Sequence, residues 1–271
     1  MKLIIRVSLV FFTAAILNGC LQVETTLFVK KDGSGTIEEK VLMSRTFADM
    51  LKEFAQSFQD SASSEEFTLF KDDEIISGAQ SFGKDVNYLS HEFISDENWE
   101  GYSAVYSFDD VGKITLRPDP DDKVDAGVDV GETGKEEDYF YFRFIKGDAP
   151  ELIIDRPEIE LKVSETEETG KEDTLGTDDK AGEEFMKMME GMKVKVAVNV
   201  EGEIVSTNAK FVEGSVVTLL QLDFGEVLKS KEDFREFQSR KPQSIEEMNE
   251  LLGKFPGMKL EIQKPVTIKF K

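Results

Sequence analysis

The chain has 271 residues, of which 39% are hydrophobic, and a formal net charge of −22. This acidity excludes nucleic acid as an expected partner, because phosphate backbones are bound by clustered Lys and Arg side chains. One cysteine cannot form a disulfide within the chain, and one histidine is too few for the usual zinc sites. We therefore expect a fold held by a hydrophobic core, with no cofactor and no metal.

The first twenty residues have the composition of an export signal. Lys2 and Arg6 are positively charged, and residues 7–17 (VSLVFFTAAIL) are apolar except for Ser8 and Thr13. A charged start followed by an apolar stretch of this length is typical of a secretory signal peptide. The uncharged stretch is too short to cross about 30 Å of hydrocarbon as a helix.

The signal ends in Leu17, Asn18, Gly19 and Cys20, which resembles the lipobox of bacterial lipoproteins. The resemblance implies cleavage between Gly19 and Cys20, a diacylglycerol on the Cys20 thiol and, usually, acylation of the new amino group. Two or more acyl chains hold a protein firmly on a membrane, at about 0.8 kcal/mol per buried methylene. The alternative is an ordinary signal peptide with an incidental cysteine.

Strands are predicted immediately after Cys20. Residues 21–30 alternate between apolar and polar side chains, and residues 36–43 form the predicted return strand. Asp32-Gly33 between them predicts a type I′ hairpin turn. Almost no polar tether separates Cys20 from this hairpin, so we expect the folded body to sit close to the membrane.

A helix is predicted next, with Ser44 as its N-cap. Its apolar face is formed by side chains at helical spacing, which we interpret as core packing rather than as a ligand platform: Phe47, Met50, Leu51, Phe54 and Phe58. Residues 67–80 are ambiguous and are interpreted as a second short helix ending near Gly83.

Three strands follow at 86–94, 101–108 and 113–116, joined by the turn sequences DENW and DDVG. His91 lies in the first of them. A catalytic histidine needs a nucleophile or an orienting carboxylate nearby, and the sequence alone identifies neither. His91 is therefore predicted to be an ordinary strand residue.

Two acidic stretches, 119–138 and 164–184, are poor in large apolar residues, and predicted strands at 139–145 and 152–163 lie between them. In the first stretch the spacing of acidic residues approaches a calcium-binding EF-hand loop, but Lys123 and Ala126 stand where a ligand and a glycine are needed. The second stretch has nine acidic and two basic residues and cannot offset the entropy of ordering. Both are predicted to be solvated loops.

The C-terminal part begins with a methionine-rich segment, 183–192 (EEFMKMMEGM), which predicts a short helix. Phe185, Met188 and Met189 give it an adaptable apolar surface, which suits either a ligand-binding lip or filling of the core. A valine-rich strand is predicted over 194–200.

Residues 201–224 predict a meander of two strands with turns at Gly202 and Gly214. Two helices should follow, one opening at residues 230–233 and one with a capping box formed by Ser244 and Glu247. Strands at 260–262 and 266–270 end the chain.

These elements predict an α+β fold in which antiparallel, strand-rich sheets are flanked by a few amphipathic helices and interrupted by acidic loop insertions. The expected organisation is a signal peptide at 1–19, an N-terminal α+β part at 20–163, a flexible acidic loop at 164–184 and a C-terminal α+β part at 185–271. We expect the two α+β parts to pack as one body.

Four segments together resemble an uncharacterised family of bacterial lipoproteins: the DGSG hairpin, residues 81–90, residues 101–116 and residues 201–224. The hairpin after the lipobox and the G-x-I-x-x-T-N-A segment, 202–209, also resemble LppM-like lipoprotein domains. Those domains are associated with lipid or glycolipid binding, and no binding residue can be transferred from them one by one.

The expected function is that of an exported, lipid-anchored protein of the cell envelope that is not an enzyme. It has no serine-hydrolase elbow, metal-ligand cluster or nucleotide-binding loop in its sequence. The expected partners are the membrane, through the lipid anchor, and an apolar or amphipathic ligand or another envelope protein. The alternatives are a scaffolding lipoprotein without a small ligand and an enzyme of an unrecognised type.

Overall fold

The computed structural model describes residues 21–58, 68–117, 139–157, 191–228, 240 and 242–271. In chain order its elements are β1 (Leu21–Val29), β2 (Gly35–Ser44), α1 (Arg45–Phe58), α2 (Asp72–Ser77), β3 (Asn87–Ser95), β4 (Trp99–Phe108), β5 (Thr115–Leu116), β6 (Phe140–Ile145), β7 (Glu151–Asp155), β8 (Lys193–Val200), β9 (Ile204–Thr207), β10 (Val212–Glu213), β11 (Val216–Asp223), α3 (Phe224–Leu228), α4 (Ile245–Leu252), β12 (Lys259–Leu260) and β13 (Val266–Phe270). Short 3₁₀ helices cover Gly78–Phe82 and Val111–Lys113. The predicted α+β class is confirmed.

A large sheet of eight strands has the order β10-β11-β8-β1-β2-β4-β3, and β12 pairs with β11. Its pairs are antiparallel except one: β1 and β8 run parallel, with Gln22 opposite Lys193 and Val29 opposite Val200. The two strands therefore start at the same end of the sheet. We call this end, where β1 begins, the Leu21 end, and the opposite end, at the β1–β2 turn, the Gly33 end.

In β1 the alternation of apolar and polar residues in the sequence matches the alternation of buried and partly exposed side chains in the structure. Leu21, Val23, Thr25, Leu27 and Val29 are buried, and the residues between them are partly exposed. Strand β1 lies between β8 and β2, so its main-chain groups can pair on both edges while alternate side chains enter the core. A strand in this position is among the most strongly held parts of a sheet.

A second sheet of five strands has the order β5-β6-β7-β13-β9. Its buried side chains belong to the same hydrophobic cluster as those of the large sheet: Leu116, Phe140, Phe142, Leu152, Ile154, Val266, Ile268 and Phe270. Near the Gly33 end, the Val111 amide of the 3₁₀ helix between β4 and β5 donates to the Gly33 carbonyl of the β1–β2 loop at 2.9 Å. One core is thus shared by residues from both halves of the sequence.

A smaller hydrophobic cluster lies where α3 and α4 meet the β11–β12 edge, and it contains Val227, Leu251, Leu252, Phe255, Met258 and Leu260. The predicted capping of α4 is confirmed, because the Ser244 hydroxyl accepts from the Glu247 amide at 3.2 Å. The Glu247 carboxylate in turn accepts from the Gln243 amide at 2.8 Å. The first bond satisfies a donor that the first turn of a helix leaves open, and the second ties the residue before the N-cap to the same turn.

Two local predictions are wrong. The β1–β2 connection is a five-residue loop rather than a two-residue type I′ turn, because only Gly33 has a positive φ (89°) and Asp32 instead accepts from the Ser34 amide at 2.9 Å. The predicted meander over 201–224 is also wrong. Strand β9 leaves the large sheet to pair with β13, while β11 pairs with β8.

Several predictions fall on residues that the structure does not describe. These are the signal peptide, both acidic stretches, the methionine-rich helix and the helix opening at residues 230–233. The strand predicted over 152–163 is described as far as β7, which ends at Asp155.

Candidate functional site

The residues that the sequence nominates lie outside the described part of the chain: Gly19, Cys20, Phe185, Met188 and Met189. Their covalent neighbours are described. Leu21 follows Cys20 directly and is 5% exposed, and Lys193 begins β8 four residues after Met189. Because β1 and β8 are parallel neighbours, the chain enters the large sheet at the same end from both nominated segments.

Five segments of the chain meet at the Leu21 end. Besides the starts of β1 and β8, it contains the junction of β2 with α1, the β3–β4 turn and the junction of β11 with α3. The last junction is tied to the start of β8, because the Phe224 amide donates to the Met192 carbonyl at 3.1 Å.

The β3–β4 turn is held by the carboxylate of Asp96. Its Oδ1 accepts from the amides of Asn98 and Trp99, both at 2.8 Å. These two hydrogen bonds, and then the positive charge of Arg45, hold the pKa of the Asp96 carboxyl below its usual value. The Arg45 guanidinium also donates to the Asp96 carbonyl at 2.5 Å and to the Ser95 hydroxyl. The turn is therefore fixed against the start of α1.

Register places Trp99 beyond the first residue of β1. Leu21 lies opposite Met43, and Met43 lies opposite Glu100, so these three residues form one row across the sheet. Trp99 pairs with Ser44, one step further out from the sheet. Its side chain is partly exposed.

Two lysines near the Leu21 end are paired with carboxylates. Lys52 of α1 lies 2.7 Å from Glu100, and Lys193 lies 2.7 Å from Glu24. The four side chains are between 19% and 29% exposed. Pairing of this kind lowers the free energy needed to bring charged groups towards an environment of low dielectric constant.

A row with three polar residues crosses the core-facing side of the large sheet at mid-strand. Thr25, Glu39, Ala104 and His91 are successive partners on β1, β2, β4 and β3. The Glu39 carboxylate is 2% exposed and accepts a hydrogen bond from the Tyr102 hydroxyl at 2.8 Å. Burial, and then the Glu39 charge, raise the pKa of Tyr102 far above its usual value.

His91 has more contacts than an ordinary strand residue. Its Nε2 lies 2.9 Å from a carboxylate oxygen of Asp72 in α2, and its Nδ1 lies 2.7 Å from the Tyr88 hydroxyl. Next to it, the Tyr106 hydroxyl donates to the Ile75 carbonyl at 3.0 Å. The Asp72 and Ile75 contacts fasten α2 onto β3 and β4. The Tyr88–His91 contact lies within β3 and orients the imidazole towards Asp72.

Among the pockets lined by described residues, two have several charged side chains around them. One of about 290 Å³ lies beside Lys84, Asp85, Asp109, Asp110 and Lys113. A hydrogen bond and ion pair of 2.5 Å between Lys113 and Asp85 raises the pKa of the lysine and lowers that of the aspartate. The other, of about 260 Å³, lies beside α4 and is lined in part by Arg240, Glu247, Glu250 and Lys254. Neither resembles the mouth of an apolar cavity.

Within the described residues, His, Cys, Asp and Glu side chains form no group that could hold a metal ion. In the same part of the chain, no helix combines the length and the apolar character needed to cross a membrane.

Sequence reasoning missed the burial of Glu39, its hydrogen bond with Tyr102 and the position of Trp99 at the Leu21 end. Glu39 stands in a polar run, TIEEK, and only its alternation with Ile37 and Val41 indicates that it faces the core. The DENW sequence did indicate a turn, and an aspartate two residues before an asparagine is typical of side-chain capping of such turns.

The chain matches no family model and no curated protein. It is similar to the solution structure of the folded domain of LppM from Mycobacterium tuberculosis, with a TM-score of 0.33 and 11% sequence identity. The similarity covers 94% of this chain and 92% of that one. A likeness at this distance says nothing about activity.

Proposed function

We propose that the protein is an exported lipoprotein, anchored to a membrane of the cell envelope through Cys20, that binds an apolar or amphipathic ligand at the Leu21 end without catalysing a reaction. One observation carries the proposal. The parallel pairing of β1 with β8 brings the chain into the sheet at the same end from Cys20 and from the methionine-rich segment.

Two observations support the anchor: the lipobox-like sequence at residues 17–20 and the position of Leu21 directly after it. Leu21 is already a buried strand residue, so an acylated Cys20 would hold the folded body against the membrane without a spacer. The net charge becomes −24 when Lys2 and Arg6 are lost, and an anionic membrane surface would repel so acidic a body. Electrostatic attraction therefore cannot hold the protein on the membrane, and the lipid would have to do so.

The ligand hypothesis requires Phe185, Met188 and Met189 to form an apolar surface near the same end. Methionine side chains adapt to ligands of varied shape. Next to a membrane anchor, the apolar molecules present in quantity are lipids and their acyl chains. The alternative, a scaffolding lipoprotein without a ligand, is favoured by the charged character of the two pockets described above.

Anchoring is tested by labelling cells with radioactive palmitate. The wild-type chain should carry label and fractionate with membranes, and Cys20→Ser should lose both properties. Equal labelling of the two proteins would contradict the proposal. In a host with two membranes we expect outer-membrane residence, because Leu21 stands where an aspartate would retain many lipoproteins in the inner membrane.

Ligand binding is tested by mass spectrometry of lipid extracts from the purified full-length protein, with binding of a fluorescent lipid analogue as a second readout. Met188→Asp should reduce co-purified lipid. Ile145→Asp is the matched control, because Ile145 is an apolar residue, 52% exposed, in the second sheet. If no lipid co-purifies and the analogue does not bind at micromolar concentration, the scaffolding alternative is the better account.

A further inference from the structure

The membrane-facing surface of the body can be derived from the register of the large sheet. If Cys20 carries the anchor, as proposed above, its lipid is attached one residue from Leu21, and consecutive Cα atoms are about 3.8 Å apart. The nine residues of β1 extend about 27 Å from there to the Gly33 end. A lipid attached at one end of so long a strand would hold the Leu21 end near the membrane and leave the Gly33 end far from it.

Trp99 is the chain's only tryptophan, and it lies at the Leu21 end. Two strand spacings separate β4 from β1, which is about 10 Å. Along the strand direction Trp99 lies one residue further out than Leu21, as the row of Leu21, Met43 and Glu100 shows. An indole in this position can reach the headgroup zone that the acyl chains of Cys20 would cross.

The charges around this surface select the kind of membrane. Lys52 and Lys193 are each paired with a glutamate, and the Arg45 guanidinium donates to the Asp96 carbonyl and the Ser95 hydroxyl, so none of the three is a bare cation available to an anionic lipid. The exposed tip of the β3–β4 turn carries Asp96 and Glu97. A tryptophan beside two carboxylates suits a zwitterionic headgroup zone, where the ring is favoured and no like charge repels the turn.

We propose that the Leu21 end is a membrane-docking surface, on which Trp99 of the β3–β4 turn lies in the headgroup zone of a zwitterionic phospholipid leaflet. The Asp96 hydrogen bonds and Arg45 hold the turn in the orientation that presents this residue. The Gly33 end, with the charged pocket beside Lys113, faces away from the membrane.

The test uses the lipidated full-length protein bound to phosphatidylcholine vesicles, with lipids brominated along the acyl chain as quenchers of tryptophan fluorescence. Trp99 should be quenched strongly and its emission should shift to shorter wavelength. A matched variant combines Trp99→Phe with Phe28→Trp, which moves the single indole to the outer face of β1 near the Gly33 end. Its quenching should be several-fold weaker.

Equal quenching of the two proteins, or stronger quenching of the Phe28→Trp variant, would overturn the docking surface. Replacing part of the phosphatidylcholine with anionic phosphatidylglycerol should weaken quenching of Trp99, and an increase would contradict the assigned lipid class. Failure of the proposed anchor can be distinguished from a wrong orientation of the body. In that case the purified chain would carry no acyl groups and would not float with vesicles, whereas a wrong orientation leaves flotation intact.

Discussion

At the scale of single residues, the unusual feature is a carboxylate placed among aromatic rings. Glu39 faces the core on a strand that is otherwise apolar on that side, and the Tyr102 hydroxyl donates a hydrogen bond to it. Burying a carboxyl group is unfavourable unless hydrogen bonds stabilise it. The phenol therefore contributes more to stability here than an average tyrosine hydroxyl does.

Tyr102→Phe should lower the free energy of unfolding by about 1–3 kcal/mol, because it removes a donor to a buried acceptor. Tyr106→Phe is the matched comparison, since its hydroxyl donates to the neutral Ile75 carbonyl, and it should cost about 1 kcal/mol. Urea denaturation measures both. A Tyr106→Phe change more costly than Tyr102→Phe would show that the carboxylate does not depend on this bond.

The same tyrosines predict a loss of stability in alkali. Burial is the main cause that raises the pKa of both Tyr102 and Tyr106 above 10.0. The unfolded chain releases these protons near pH 10 while the folded chain keeps them. The free energy of unfolding should therefore fall as pH rises above about 10, by up to about 1.4 kcal/mol per pH unit for each tyrosine.

Urea denaturation at a series of pH values checks this dependence. Tyr102→Phe should make the decline shallower, because it removes one of the two buried phenols whose pKa values are raised. An identical decline in wild type and Tyr102→Phe would refute the assignment.

At the scale of elements, two turns with the same Glu-Gly sequence have different surroundings. Gly202 has φ 92°, and a Cβ atom built on it would lie 2.2 Å from the Lys271 carbonyl oxygen. Gly214 has φ 61°, and a Cβ atom there would meet nothing within 4 Å. The Gly202 turn is also where Glu203 and Lys271 exchange two main-chain hydrogen bonds of 3.0 Å.

Gly202→Ala should therefore be much more destabilising than Gly214→Ala. The second change has only the conformational cost of a left-handed alanine, about 1–2 kcal/mol. The first adds a clash with main-chain atoms and should displace the end of β13 from β9. Thermal unfolding of the two variants gives the comparison, and equal melting temperatures would contradict it.

These elements also show how far the sequence can be read. Strand β1 and the capping of α4 were predictable because alternation and capping are local patterns. The partner of β9 was not, because Ile204 and Thr207 suit a hairpin as well as a second sheet, and the choice depends on β13, more than fifty residues later. The parallel β1–β8 pair was missed for the same reason. At the candidate site, Cys20 and the methionines remain predictions.

At the scale of the whole molecule, charge is the dominant property. A net charge of −22 makes the compact state repel itself, and salt screens that repulsion over about 10 Å at 0.1 M. The stretch 164–184, with nine acidic and two basic residues, supplies seven of the net negative charges.

Deletion of residues 164–184 should change the melting temperature by less than about 5 °C, since little in this stretch can be buried. It should also reduce the rise in melting temperature between low and physiological salt, because seven negative charges are removed. Calorimetry in a salt series measures both effects. A larger fall in melting temperature would show that the segment packs on the body.

The position of β1 has a mechanical consequence. If Cys20 carries the proposed anchor, any pull from the membrane would act along the axis of β1, and this strand is paired by nine residues to β2 and by eight to β8. The hydrogen bonds run across the strands, so such a pull loads them together in shear instead of opening them one at a time. Tension on such a lipid would be borne by the middle of the large sheet, and the body would resist being drawn out residue by residue from the Leu21 end.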